Sequence, residues 1–312
     1  MSRHAPVRAL VAAAAAVLVL ATAACGSAPG STRTQQGGGD AGRTLAVSAI
    51  PDQDPQLLQR LYGTVSEYLG KSLGVQVKYV PVTDYTAAVT AFRRGDLHLV
   101  FFGGLTGVQA RLQVPGAVPI AQRDIDQNFH SVFIAAADSG VGTISDVSGL
   151  SALAGHTFTL GSQTSTSGSL MPQFFLSEAG VHLQDLKNEV GYSGSHDATI
   201  KLVEAGTYQT GALNAAVWDS RLKDGKVDTT KVREVFRTPA YHDYHWLVRP
   251  DIDQQFGDGF TQRVKDALLG IDGSDEQEKQ ILQLFQAGGF IATAPENYQQ
   301  IEKIGRDIGL IK

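Results

Sequence analysis

The strand-forming run Leu45 to Ile50 stops at Pro51-Asp52-Gln53-Asp54-Pro55. From there Leu57, Leu58, Leu61, Val65, Tyr68, Leu69 and Leu73 recur at helical spacing until Gly74. A short β-branched strand, a Pro/Asp break and a long amphipathic helix closed by glycine form one β-α unit. The pattern repeats. Val75 to Val80 is a strand, and Thr83-Asp84 caps a helix carrying Ala87, Val89, Ala91 and Phe92. Leu97 to Phe102 is a strand running into Gly103-Gly104 and a further helix, and Val118 to Ala121 and Ser131 to Ala136 are strands again. A second set follows, with strands near 157–160, 189–192 and 213–217, helices near 167–179, 196–205 and 218–224, then strands near 233–236 and 245–248. From 256 onward the chain reads as three helices, the last opening at Ala294-Pro295-Glu296. Two β-α-β-α sets predict two α/β lobes, each a mostly parallel sheet with helices on both faces. In such sheets ligands sit beyond the carboxyl ends of the strands, so the turns that follow strands are the places to look.

One of these turns is unusual. In TFTLGSQTSTSGSLMPQFFLSEAG, Thr157 to Leu160 is a strand, and Leu170, Phe174, Phe175, Leu176 and Ala179 form a helix face. Ser165, Thr166 and Ser167 therefore lie where the strand becomes the helix. One hydroxyl is enough to cap the free N–H groups of a first turn. Three exceed that need, and the same N–H groups with the helix dipole behind them attract an anion.

The N-terminus narrows the setting. Arg3 and Arg8 precede the apolar stretch Ala9 to Ala21, and Ala23-Ala24 precede Cys25, the sole cysteine. A basic start followed by an apolar segment too short to span a bilayer is an export signal. A lone Cys after small residues resembles a bacterial lipobox, with Thr22 where Leu is usual, so a signal peptide over 1–24 and a lipidated Cys25 are expected. Residues 25–42 are Gly-, Ser-, Thr- and Gln-rich and cannot bury a core, which makes them a tether. No disulfide framework is possible with one cysteine. The net charge of −5 becomes −7 without the two leader arginines. With no basic run there is no footprint for nucleic acid. An anion must be held by local dipoles or by one well-placed cation, against the overall field.

The strings VPVTDYTAAVTAF, FFGGLTGVQA, SQTSTSGSLMPQFFL and SGSHDATIKLVEAG occur in this order. Together they resemble the phosphonate-type solute-binding proteins of bacterial ABC importers. FGGLTGVQARLQVPG and AQRDIDQNFHSVFIA are similar to a subgroup proposed to carry selenate or a related oxyanion. The resemblance implies a type II periplasmic-binding-protein fold, with each lobe a mixed sheet flanked by helices and the ligand cleft between the lobes. Residues 43–136 with 237–312 are the expected first lobe and 137–236 the second. It also implies a small tetrahedral oxyanion as ligand, delivery to the ABC permease, no enzymatic activity and no cofactor; a monomer is expected. Carried over by motif, Tyr85 hydrogen-bonds the ligand, Phe102 lies beside it, Ser165, Thr166 and Ser167 hold the oxyanion, and His196 adds a donor. Relatives that take aminoalkyl phosphonates place carboxylates around the amine. Here Gly211 to Trp218 offers none, and Asp243 is the remaining acidic candidate. The expected ligand therefore lacks an amine.

Arg123 is the only arginine at a predicted strand end, and its fork suits an oxyanion, although Arg123-Asp124 reads equally as a surface pair. Phe101 and Phe102 face opposite ways on a strand, and Phe102 is assigned to the cleft. Two other readings stay open. An aromatic-lined cleft suits an organic sulfonate or phosphonate. His242, Asp243 and His245 form a metal-ligating set only if alternation does not split them across one strand. No G-x-S-x-G elbow, Walker loop or H-E-x-x-H motif is present.

Overall fold

The computed structural model describes residues 42–312, so the expected signal peptide, Cys25 and nearly all of the tether lie outside the described residues. The strands are β1 Thr44–Ala49, β2 Gln76–Tyr79, β3 Leu99–Phe102, β4 Val118–Arg123, β5 Ser131–Ala136, β6 Phe158–Leu160, β7 Gly191–Tyr192, β8 Thr210–Asn214, β9 Val232–Arg237, β10 His245–Val248 and β11 Phe290–Ala292. The helices are α1 Pro55–Leu73, α2 Tyr85–Arg94, α3 Gly104–Gln113, α4 Met171–Glu178, α5 His196–Glu204, α6 Ala215–Lys223, α7 Ile252–Phe256, α8 Phe260–Leu269, α9 Glu276–Phe285 and α10 Gln299–Asp307.

Local chemistry sets the ends of these elements. The Asp54 carboxylate caps α1 by accepting from the Leu57 N–H at 2.9 Å, and Pro55 follows at the first helical position, where no N–H is needed. Gly74 ends the helix at φ 70°, a conformation that L side chains disfavour. Leu58, Leu61, Tyr62, Val65, Leu69 and Leu73 are the buried face of α1. Central strands β3 (LVFF) and β5 (SVFIAA) are buried at every position, as strands covered on both faces must be. Edge strand β2 keeps only Tyr79 buried.

Two sheets result, ordered β2-β1-β3-β10-β4-β11 and β7-β6-β8-β5-β9. Both are mixed. β1 runs parallel to β2 and β3, while β10 is antiparallel to β3 and β4. In the second sheet β6 runs parallel to β7 and β8, while β5 is antiparallel to β8 and β9. These are the mixed sheets that the resemblance implied rather than the mostly parallel ones read from the pattern: in each a strand arriving from the other side of the molecule, β10 or β5, inserts antiparallel, and β11 adds antiparallel to β4. The lobe boundary after 136 is also corrected. Ser131–Ala136 pairs with β8 and β9, so the chain crosses to the second lobe through 124–130 and returns through 238–244. The two crossings run side by side. The Phe129 and Tyr241 N–H groups each donate to the other's carbonyl, at 2.8 and 2.9 Å, and the Asp243 N–H donates to the Asp126 carbonyl at 3.1 Å. A paired double crossing of this kind suits a hinge.

Candidate functional site

The hydroxyl run folds as a widened first turn. Thr166–Leu170 is one turn of π-helix leading into α4, with the Leu170 N–H reaching back to the Ser165 carbonyl at 3.0 Å. Donors from elsewhere engage its carbonyls. The Ser131 hydroxyl donates to the Ser167 carbonyl at 2.7 Å, and the Gly161 N–H to the Gly168 carbonyl at 2.7 Å. Backbones approach closely here. A Cβ on Gly168 would stand 3.0 Å from Ser165 Oγ and 3.2 Å from both the Gly161 Cα and the His196 ring. Glycine at 168 is therefore a packing requirement. Single π turns of this kind recur at functional sites.

The three hydroxyls have different tasks. Ser165 Oγ caps the turn, accepting from the Gly168 N–H at 3.0 Å. Thr166 Oγ1 accepts from the Leu105 N–H at 3.0 Å and so caps α3 of the opposite lobe. Ser167 Oγ is buried and has no partner among the described residues. Tyr85 Oη and Asp243 Oδ2 share that condition, as do Thr164 Oγ1 and Ser66 Oγ. The other Asp243 oxygen accepts from the Gly104 N–H at 2.9 Å. Thr166 and Asp243 thus meet at the start of α3, where a Cβ on Gly103 would be 3.2 Å from Thr166 Oγ1 and 3.4 Å from Asp243 Oδ1. A buried polar atom without a partner costs about 1–3 kcal/mol, so three in one region call for an occupant.

Burial dominates the electrostatics. It raises the Asp243 carboxyl from 3.8 to about 7, the Gly104 N–H offsetting only part of the effect. The Tyr85 phenol is pushed well above its ordinary value by burial and then by Asp52, so it is a neutral donor. Burial lowers His196 to about 4. Its Nδ1 accepts from the Asn214 N–H at 3.4 Å, which leaves Nε2 carrying the proton, 3.3 Å from Tyr244 Oη. Tyr244 Oη also accepts from Asn214 Nδ2 at 3.0 Å and donates to Asp52 Oδ2 at 2.8 Å. Asp52, lifted by burial to about 6, Asn214 and Tyr244 line a small cavity of about 20 Å³ between the lobes.

Tyr85, Ser165, Thr166, Ser167, His196 and Asp243 are therefore brought to one buried region between the lobes. Two candidates are not. The Arg123 fork grips Asp126, with Nε at 2.9 Å and Nη2 at 2.6 Å, while Nη1 donates to the Phe285 carbonyl at 3.0 Å. The guanidinium lies 4.9 Å from the centre of the Tyr244 ring. It is a strut beneath the crossing strand, because an acidic residue three positions on already satisfies the fork. Phe102 packs edge-to-face on Phe92 at 5.7 Å within the first lobe, whereas Phe101 stacks on Tyr244 at 5.4 Å and lines the small cavity. Alternation is respected, with the two faces exchanged. His245 packs at a tilt against Tyr298, ring centres 4.1 Å apart, and burial lowers it to about 3, a neutral core histidine. Among the described residues no group of three or more His, Cys, Asp or Glu is arranged to hold a metal ion.

Asp52, Asn214 and Tyr244 escaped the sequence reading. Asp52 follows the carboxyl end of β1 and Asn214 closes β8, where the position rule points, but neither stands out by residue type, and Tyr244 lies before β10, where the rule does not point.

Comparison with known proteins now fixes the family. Residues 47–298 match the family described as ABC transporter, phosphonate, periplasmic substrate-binding protein. The chain belongs to that family. It is 46% identical over 271 residues to the probable ABC transporter phosphite binding protein PhnD1 of Prochlorococcus marinus, covering 86% of this chain and 91% of the relative. It is 26% identical over 237 residues to the phosphate-import protein PhnD of Mycolicibacterium smegmatis, covering 72% and 71%. The solved structure of the Prochlorococcus marinus PhnD1 in complex with methylphosphonate superposes with a TM-score of 0.84 at 47% identity, covering 86% of this chain and 99% of that one. A phosphonate-transporter binding component from Pseudomonas aeruginosa, at 17% identity and a TM-score of 0.72, shares the fold. The two-sheet architecture is that of type II periplasmic binding proteins, and the family works outside the cytoplasm with ABC permeases.

Proposed function

We propose that this protein captures a small phosphorus oxyanion, phosphite or methylphosphonate before phosphate, between its lobes and hands it to an ABC permease. The observation that carries this reading is the trio of unpartnered buried oxygens, Tyr85 Oη, Ser167 Oγ and Asp243 Oδ2, around the start of a helix. Tyr85 and Ser167 donate to the anion, together with the free N–H groups of the π turn and the dipole of α4, whereas His196 gives its ring N–H to Tyr244 and packs beside the site. No arginine is needed, which agrees with a site built from neutral donors.

Asp243 gives the site a chemical preference. A carboxyl that titrates near 7 shares one proton with its ligand. A hydrogen phosphite or hydrogen methylphosphonate ion brings that proton, and a dianion takes it from Asp243. Sulfate and selenate bring no proton and, as conjugate bases of strong acids, hold a shared one weakly, so the selenate reading ranks below the phosphorus anions. An aminoalkyl phosphonate needs a partner for its ammonium, since an unpaired buried charge costs several kcal/mol. Asp243, half-committed to Gly104 and easily protonated, is a poor one.

Cys25 and the tether support a lipoprotein held on the outer face of the membrane, with the folded unit free to reach the permease. Among the described residues no helix is long and apolar enough to cross a membrane.

The deciding experiment is calorimetry on dialysed protein against phosphite, methylphosphonate, phosphate, sulfate, selenate and 2-aminoethylphosphonate at pH 7. Phosphite or methylphosphonate should bind at least about tenfold more tightly than selenate or the aminoalkyl ligand, a gap of ~1.4 kcal/mol. Tightest binding of selenate or of the aminoalkyl compound overturns the reading.

A further inference from the structure

Away from the anion site, the lobes meet a second time at the start of α1. An N-cap residue's own N–H is ordinarily satisfied by Glu or Gln at the third helical position, the capping box. In α1 that position is Leu57, which cannot accept. The Asp54 N–H instead donates across the cleft to Asp197 Oδ2 at 3.0 Å. Asp197 lies in the first turn of α5, next to His196, and its carboxylate is held from behind by Arg221 of α6, with Nε to Oδ1 at 2.6 Å and Nη2 to Oδ2 at 2.9 Å. Arg221 Nη2 also reaches Gln53 Oε1 at 3.3 Å, and the His196 N–H donates to the Asp52 carbonyl at 3.0 Å. Three successive residues of the first lobe, Asp52, Gln53 and Asp54, are thus engaged by two successive residues and one arginine of the second.

We infer that Asp197, fixed by Arg221, is a positioning residue that clasps the lobes shut and holds His196 over the anion site, so that it governs how long a ligand stays. The Asp197–Arg221 pair lies within one lobe and persists when the lobes part. What is lost on opening is the set of bonds to Asp54 and Gln53, which leaves the Asp54 N–H without the acceptor that a capping box would otherwise supply. Burial raises Asp197, yet the Arg221 hydrogen bonds and charge outweigh that and keep the carboxyl below its ordinary value. The acceptor is therefore charged throughout the neutral range. Arg221 is nearly buried on α6, and Asp197 keeps 28% of its side chain exposed, so the clasp sits at the rim where it can release without unfolding either lobe.

An interaction that forms only on closure slows opening and leaves encounter with the open form unaffected. The test is stopped-flow binding of methylphosphonate to the full protein, the Asp197→Ala variant and the Gln53→Ala variant. Spin-label distances between the lobes are measured in parallel, without ligand and with it. A charge-assisted hydrogen bond implies an off-rate raised about tenfold in Asp197→Ala, with the on-rate within about threefold. Gln53→Ala should show a smaller rise in the same direction, and its thermal midpoint should match the parent, because Gln53 supports neither core. Ligand-free Asp197→Ala should also show a longer mean distance between the lobes than the ligand-free parent. Unchanged off-rates and distances in both variants overturn the clasp, as does a loss confined to on-rate and thermal midpoint. If the parent binds no methylphosphonate the functional reading fails separately, and the ligand-free distances still decide whether Asp197 holds the lobes together.

Discussion

Replacing Asp243 by Asn removes a carboxyl of the anion region that can exchange a proton near neutrality while keeping its shape. Raising a carboxyl from 3.8 to about 7 corresponds to about 4 kcal/mol between its two protonation states, set by burial. In the folded protein the proton is held more tightly than in the unfolded chain. As pH rises from about 4 to about 7 the unfolded chain gives up its proton first, so this residue lowers stability across that window and leaves it about 4 kcal/mol down above pH 7. The amide introduced by Asp243→Asn cannot ionise. The ligand-free variant should therefore be more stable than the parent at pH 8 and similar to it at pH 4, as measured by urea unfolding. Binding follows the same logic. At pH 9 phosphite is a dianion and the free Asp243 carboxyl is ionised, so binding by the parent takes up one proton and affinity falls about tenfold per pH increment of one. The asparagine side chain donates an N–H to the dianion without any uptake, so the variant's affinity should be flat above pH 8. Calorimetry in two buffers of different ionisation enthalpy reads the proton count directly. Parent binding at pH 9 without proton uptake would falsify the shared proton, and so would a variant whose affinity still falls with pH as steeply as the parent's.

Three further outcomes are expected. Ser167→Ala should weaken methylphosphonate binding by about ten- to a hundredfold, the worth of a hydrogen bond to a charged ligand, while unfolding shifts by less than about 1 kcal/mol because Ser167 Oγ has no protein partner; equal affinity in calorimetry would place the site elsewhere. Asp126→Ala should cost about 3–5 kcal/mol in chemical unfolding, since it strands the buried Arg123 fork, and a negligible loss would contradict the strut role of that pair. Cys25→Ser should move the protein from the membrane fraction to the soluble one with ligand affinity unchanged; a mature N-terminus found by mass spectrometry well downstream of Cys25 removes the anchor.

Some of this was readable from the chain, and what was not divides along physical lines. Elements with their own local chemistry declared themselves. Asp54-Pro55 and Gly74 bound α1, Asp84 caps α2, and the hydroxyls at 165–167 open a helix at the end of a strand. β11 was absorbed into a helix because Phe290–Ala292 is a strand only by pairing with β4. The antiparallel insertion of β10 and β5 is equally a property of the assembled sheets, invisible to any window along the sequence. Phe101 and Phe102 show a subtler limit. Alternation says that they part company, but β3 is buried on both faces, so polarity carries no information on which face meets the other lobe.

The same division explains why candidate donors were easier to find than their setting. Ser165 to Ser167 are adjacent in sequence, and their excess over one cap is a signal that one turn contains in full. The network around Tyr244 draws Asp52 from one lobe, Asn214 from the other and Tyr244 from the returning crossing strand. Each is ordinary alone. Their meaning appears when the two crossings pair and the lobes close, because only then does one phenol accept from an amide and a histidine while donating to a buried carboxyl. Arg123 is the converse case. Its charge made it conspicuous, yet Asp126 three residues later already complements the fork, and the pair stiffens the crossing beneath Tyr244. A buried anion site can dispense with such a cation when helix N–H groups and neutral hydroxyls supply the field, which is the arrangement proposed for this chain against its net charge of −5.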